Sequence, residues 1–189
     1  MVLSDTLKIT GREKSRAASP VKTNKILFGL LGLTTACFLV LVAYSMRETV
    51  ANEGDAAPSF RVTTDQGQVV TPTRFGGKVL LLNFWATWCA PCVSEIPSLN
   101  QLQQRLKGDG AVVLAVSIDK NDRKYRAFLD RFHVTFDTAR DPEADISSSY
   151  GTFQVPETYI IKDGKIVRKL IGEQNWSGEN TVEYIKSLL

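Results

Sequence analysis

The amino-acid sequence predicts an α/β fold, a mixed sheet flanked by helices, preceded by one transmembrane helix. Three observations carry this. Two continuous apolar runs, Lys78 to Trp85 and Ala111 to Ile118, have the composition of strands buried on both faces, and each is followed by a segment with helical apolar spacing. Strands alternating with helices build a layered α/β sheet. Near the C-terminus Asp163-Gly164 separates two more strand-like runs, a two-residue hairpin signal that makes the sheet mixed. Near the N-terminus, Ile26 to Met46 contains no charged residue.

That charge-free run is as long as the roughly 20 residues a helix needs to cross a bilayer. Before it, residues 1–25 form a basic tail with Lys8, Arg12, Lys14, Arg16, Lys22 and Lys25. Basic flanks stay in the cytoplasm, so residues 26–46 are expected as a signal-anchor in the inner membrane, single-pass, with the rest of the chain on the periplasmic or extracytoplasmic side. Ala43-Tyr44-Ser45 offers a small-x-small cleavage site, but cleaved signals have shorter apolar regions, about 7–15 residues. Cys37 lies mid-span between apolar residues and reads as a lipid-buried thiol rather than a lipoprotein anchor.

Residues 47–57 are polar, lack periodicity and contain Gly54, Ala56 and Ala57, which predicts a tether; residues 58–189 then form the folded domain. Phe60 to Thr64 and Gln68 to Thr71 flank Asp65-Gln66-Gly67 as a short hairpin. Lys78 to Trp85 is a buried strand. In Cys92 to Leu106, Val93, Ile96, Leu99, Leu102 and Leu106 form one apolar stripe, with Pro97 inside it as a bend. Ala111 to Ile118 is the second buried strand. Asn121 to Phe132 is an amphipathic helix with Tyr125, Phe128, Leu129 and Phe132 inward. Thr135 to Thr138 reads as a short strand and Glu143 to Tyr150 as a short helix. Thr158 to Ile161 and Lys165 to Ile171 are the hairpin strands, and Thr181 to Leu189 closes the chain as a helix.

The 189 residues are 43% hydrophobic and 23% charged, an ordinary globular balance with room for one domain and an extra segment. The net charge of +3 comes largely from the basic tail and does not indicate nucleic acid. Cys37 aside, the outer part holds only Cys89 and Cys92. A structural disulfide framework usually needs more, so one local pair is a working pair.

Trp88-Cys89-Ala90-Pro91-Cys92 sits between the first buried strand and the helix after it. At a helix start, unpaired N–H groups and the macrodipole favour an anion, and thiolate is the species that attacks a disulfide. Cys89 is therefore the expected attacking thiol. Cys92, one turn on and more buried, is placed to resolve the mixed disulfide. Pro91 suits the first turn, where its missing N–H has no helical partner. Glu95 lies three residues after Cys92 on the same side of the helix. A carboxylate there would raise the Cys92 thiol's pKa and take its proton, but spacing alone leaves a solvated surface carboxylate equally open. Pro156 precedes a strand, where proline is tolerated; the residues alone do not fix its peptide isomer.

The run Asn83-Phe84-Trp85-Ala86-Thr87-Trp88-Cys89-Ala90-Pro91-Cys92, together with Glu95, Pro97 and the segment Gly151 to Ile161, closely resembles the TlpA/ResA-like branch of the thioredoxin superfamily. The likeness covers nearly all of the chain after the tether. It implies a thioredoxin-like fold with an N-terminal hairpin and a central αβ insert between Asn121 and Thr138. It implies a membrane-tethered thiol–disulfide oxidoreductase, often one that serves cytochrome c maturation. Cys89 then matches the family's nucleophile, Cys92 its resolving thiol, Glu95 its active-site glutamate and Pro156 its cis-proline. Trp88, Ala90, Pro91 and Val155 are the expected substrate-binding residues. The expected partners are a disulfide-containing target protein, such as apocytochrome c, and a membrane thiol electron donor. No cofactor is expected beyond the redox-active Cys89–Cys92 disulfide, and no metal. Cytosolic thioredoxin has a buried Asp where this chain has Asn83, and an amide takes no proton at neutral pH. A carboxylate assisting Cys92 would thus be Glu95.

Other readings weigh less. Trp85 and Trp88 are expected as packing and rim residues, and the single histidine, His133, as a surface residue. A closed zinc site lacks ligands, whereas two thiolates suffice for Cu(I), which leaves a copper-handling protein as the alternative function. A peroxidase of this superfamily needs Thr-x-x-Cys, and Thr87 stands only two before Cys89. An inert binding module would have no use for both thiols.

Overall fold

The structure is a computed structural model that describes residues 23–45 and 50–189. Most of the basic tail and residues 46–49 lie outside the described residues. Thr23–Ser45 form α1, whose large apolar side chains, among them Leu27, Phe28, Leu31, Phe38 and Leu41, are exposed. Thr34 and Thr35 return their hydroxyls to the Leu31 carbonyl, so neither polar group is left open within the apolar helix. Lys25–Ala43 is long and apolar enough to cross a membrane.

Over residues 50–189, which form a unit of their own, the elements follow the predicted order. They are β1 (Val62–Thr63), β2 (Val69–Val70), β3 (Val79–Trp85), α2 (Ala90–Arg105), β4 (Ala111–Ser117), α3 (Asp122–Phe132) and β5 (Asp137–Arg140), then α4 (Asp145–Ser149), β6 (Glu157–Lys162), β7 (Lys165–Ile171) and α5 (Glu179–Ser187). The main sheet has the order β5-β4-β3-β6-β7. β3, β4 and β5 run parallel, and β6 and β7 add antiparallel. β1 and β2 form a separate antiparallel hairpin. Asp163 and Gly164 both take positive φ, 51° and 73°, which matches the twist of the β6–β7 hairpin.

β3 is central and wholly buried, which explains its unbroken apolar run. Its period of two sorts the core. Val79, Leu81 and Trp85 pack with Cys92, Ile96, Leu99 and Leu102 of α2 and with Val182 and Ile185 of α5. Leu80, Leu82 and Phe84 pack on the other face with Val70, Tyr150 and Tyr159. Asn83 shares the parity of the first set, so strand geometry turns its amide toward α2.

Several boundaries differ from expectation for local reasons. α2 begins at Ala90 rather than Cys92, because Cys89 caps it and Pro91 occupies its first turn. β5 begins two residues late, because the Asn100 carboxamide oxygen accepts from both the Thr135 N–H and hydroxyl and keeps Thr135 out of the ladder. The domain boundary expected at Pro58 falls inside the fold. Ala51 N–H donates to the Tyr150 carbonyl, Gly54 N–H to Ile166 and Ala57 N–H to Gly164, and Ala56 bridges to Lys165. This segment is held by isolated backbone bonds, the buried Ala51 and the Glu53 carboxylate that accepts from the Lys169 N–H, rather than by a repeating apolar face, so it shows no periodicity. Residues 47–49 of the expected tether lie outside the described residues.

Candidate active site

The end of β3 and the start of α2 place the cysteine pair. The turn between them is tied down by Asp119, at the end of β4. Its buried carboxylate accepts from the Thr87 N–H (2.7 Å), the Thr87 hydroxyl (2.7 Å) and the Ser117 hydroxyl (2.7 Å). The Thr87 hydroxyl is thereby engaged away from Cys89.

Cys89 and Cys92 are joined as a disulfide. Cys89 is the N-cap of α2: the Cys92 N–H donates to Cys89 Sγ at 3.2 Å. A sulfur that receives a helix-start N–H is placed where negative charge is favoured. Cys89 retains 6% exposure and Cys92 1%, so the order of access is as expected. The first sulfur is itself largely covered, because the loop carrying Val155 lies against it. Cys89 Sγ is 3.5 Å from the Val155 carbonyl oxygen, and the Val155–Pro156 peptide bond is cis. Glu157, directly after Pro156, is buried and anchors the start of β6: its Oε1 accepts from Lys169 Nζ at 2.9 Å and from the Tyr159 hydroxyl at 2.7 Å.

Around the pair, Ala90 and Pro91 are exposed, Val155 is half-buried and Trp88 is 68% exposed. A cleft of about 380 Å³ opens beside Trp88, with Ile118, Thr152, Phe153 and Val155 among its walls. Phe153, 75% exposed, is an aromatic rim residue that the sequence reading did not single out.

Glu95 is not a solvated surface carboxylate: it is 2% exposed. Asn83 Nδ2 donates to its Oε1 at 2.9 Å, and the Trp176 indole N–H (3.1 Å) and Gln174 backbone N–H (3.2 Å) donate to its Oε2. Burial pushes its pKa up to about 7, against the lowering effect of these three donors, and the negative charge of Glu173 adds to the rise. A carboxyl poised there can gain or lose a proton under ordinary conditions. Trp176 and Gln174 were missed because they sit in the loop after β7, where no periodicity points inward. Asn83 was set aside as a proton acceptor; its parity on β3 and the Thr158 opposite it were the available signs of its role as a donor. His133, an exposed residue at the end of α3, lies outside this arrangement. Among the described residues no group of three or more His, Cys, Asp or Glu side chains is placed to hold a metal ion.

Comparison with known proteins agrees with this geometry. The AhpC/TSA family model matches residues 53–170. A thiol-disulfide oxidoreductase ResA of Bacillus thuringiensis subsp. konkukian is 33% identical over 173 residues, spanning 89% of this chain and 99% of that protein. The thioredoxin-like protein YneN of Bacillus subtilis is 35% identical over 129 residues, spanning 67% and 75%. Among solved structures, one from Chlorobium tepidum assigned as a thiol:disulfide interchange protein DsbE superposes with TM-score 0.66 at 31% identity, over 73% of this chain and 98% of that one. On fold, pairwise identity and coverage alike, the chain belongs to the AhpC/TSA family and is a ResA-like thiol–disulfide oxidoreductase of thioredoxin fold.

Proposed function

We propose that this enzyme is a membrane-anchored, extracytoplasmic reductant of protein disulfides, with apocytochrome c as a fitting target. The observation that carries the reading is the Cys89–Cys92 disulfide at the start of α2, its outer sulfur capped by an N–H and faced by the Val155 carbonyl. In the reduced protein the Cys89 thiolate attacks one sulfur of the target disulfide. The target S–S bond breaks, a mixed disulfide forms, and the other target sulfur leaves as thiolate. Cys92 gives its proton to Glu95 and attacks Cys89 Sγ. The mixed disulfide breaks, the second target sulfur leaves, and the Cys89–Cys92 bond forms. The target gains two electrons and this protein loses two. A thiol donor in the membrane restores the dithiol by the same chemistry in reverse. Trp88, Ala90, Pro91 and the Val155 main chain receive the target beside Cys89, and Pro156 shapes that loop. The apolar α1 supplies the anchor in the cytoplasmic membrane, with the basic tail inside and the catalytic domain outside.

The direction of flow is set by reduction potential, where about 30 mV corresponds to a factor of ten for a two-electron couple. Equilibration of the full chain with glutathione buffers tests it. A potential well below that of glutathione supports the reductant role, and one near the most oxidising members of the superfamily overturns it. Cys92→Ala should freeze mixed disulfides on Cys89, and mass spectrometry of the adducts names the targets.

A further inference from the structure

Among the described residues, the cage around Glu95 contains one member that can serve both protonation states of the carboxyl. Every group bonded to Glu95 is a donor: Asn83 Nδ2 to Oε1, and the Trp176 Nε1–H and Gln174 N–H to Oε2. This suits a carboxylate, which only accepts. A protonated carboxyl must also donate its own O–H, and a buried O–H without an acceptor is costly. The indole N–H and the backbone N–H never accept. The Asn83 carboxamide carries a carbonyl oxygen on the same planar group, and a half-turn about its last side-chain torsion exchanges that oxygen with Nδ2.

The second bond of Asn83 permits this turn. Nδ2 also donates to Thr158 Oγ1 at 2.9 Å, across the β3–β6 pairing that sets Asn83 opposite Thr158. A hydroxyl is both donor and acceptor and rotates to suit. After the half-turn, Asn83 Oδ1 accepts from the Glu95 O–H on one side and the Thr158 O–H on the other. Both bonds survive with their directions reversed.

We propose that Asn83 is a positioning residue for the exchange reaction that works as a two-way switch: it donates to ionised Glu95, and turns over to accept from protonated Glu95 while Thr158 reverses its hydroxyl. The buried carboxyl can then take up and release a proton while keeping its bond to Asn83, and Asn83 its bond to Thr158, in both states. This deepens the reading of Glu95 as the proton acceptor for Cys92 and rests on Glu95 changing its protonation. The charged group acting on Glu95 is Glu173. Cys92 lies one turn before Glu95 on α2 and does not titrate while it is in the disulfide, and the partners from β3, β6 and the loop after β7 are neutral.

The test is side-chain NMR on the oxidised full chain in detergent micelles, labelled with ¹³C and ¹⁵N, from pH 5 to pH 9. The Glu95 carboxyl carbon reports ionisation. The nuclear Overhauser contact between the Asn83 amide protons and the Thr158 side chain reports which way the amide faces. The expected result is loss of that contact below the Glu95 midpoint, with the same midpoint for both signals. Glu95→Gln places an NH₂ donor where protonated Glu95 has its O–H, so in this variant Asn83 is expected to show the low-pH pattern at every pH. An Asn83 contact that stays constant while Glu95 titrates overturns the proposal. So does a Glu95 that never titrates in this range, or a Glu95→Gln protein with the high-pH pattern. No thiol chemistry enters the measurement, so its failure leaves the exchange reaction of Cys89 and Cys92 standing.

Discussion

Replacing Glu95 by Gln should remove one component of the dependence of folding stability on pH between 5 and 8, worth roughly 2 to 3 kcal/mol. The Glu95 pKa stands at about 7 in the folded protein against an ordinary 4.5, with burial as the main cause. Between those values the folded state keeps a proton that the unfolded chain has released. The stabilisation tied to that proton is complete below the unfolded value and is lost as pH rises through about 7. At about 1.4 kcal/mol per pKa unit, the folded protein loses roughly 2 to 3 kcal/mol from this group between pH 5 and pH 8. Glutamine is neutral throughout, so the variant lacks this component. Urea unfolding of the oxidised full chain in mild detergent, followed by tryptophan fluorescence at both pH values, gives the two slopes. The native protein should lose stability on going to pH 8, and Glu95→Gln should lose about 2 kcal/mol less. Equal losses in both proteins would refute the reasoning, because Glu95 would then not be a buried carboxyl with a raised pKa.

Three further outcomes are expected. Leu99→Ala empties a side chain buried between α2 and β3 and should cost about 2–5 kcal/mol in urea unfolding; a loss under about 1 kcal/mol contradicts the packing described. Asp119→Ala leaves the Thr87 N–H and the Ser117 hydroxyl without their acceptor, so it should destabilise by about 1–3 kcal/mol. It should also slow disulfide reduction by loosening the turn before Cys89, and unchanged turnover of a protein disulfide speaks against that clamp. Trp88→Ala should raise KM for a protein disulfide while leaving the rate with a small aromatic disulfide nearly unchanged; equal losses on both substrates would show that Trp88 acts on the thiols rather than on the partner.

The order of strands and helices was legible because each obeys a period. β3 and β4 show unbroken apolar runs, α2 shows an apolar stripe at three- and four-residue spacing, and Asp163-Gly164 marks the last hairpin. What has no period was not legible. The docking of residues 50–57 rests on scattered backbone bonds and on single side chains such as Ala51 and Glu53 that follow no period. The late start of β5 depends on a side chain thirty-five residues away, Asn100. At the site, the cysteine pair, Glu95 and Pro156 were visible as a motif and a resemblance. The cage around Glu95 was not, because Trp176 and Gln174 arrive from a loop. Asn83 could have been placed by its parity on β3, which turns it toward α2 like Leu81 and Trp85.

The claim on which the mechanism depends is that Cys89 attacks and Cys92 resolves. The most direct measurement is the alkylation of each thiol in the freshly reduced full chain by iodoacetamide at a series of pH values, with peptide mass spectrometry to separate the two sites. Cys89 should be modified first, with a rate that rises at lower pH than the roughly 8.5 of an ordinary cysteine. Modification of Cys92 ahead of Cys89, or a Cys89 that follows the ordinary cysteine curve, would contradict the account.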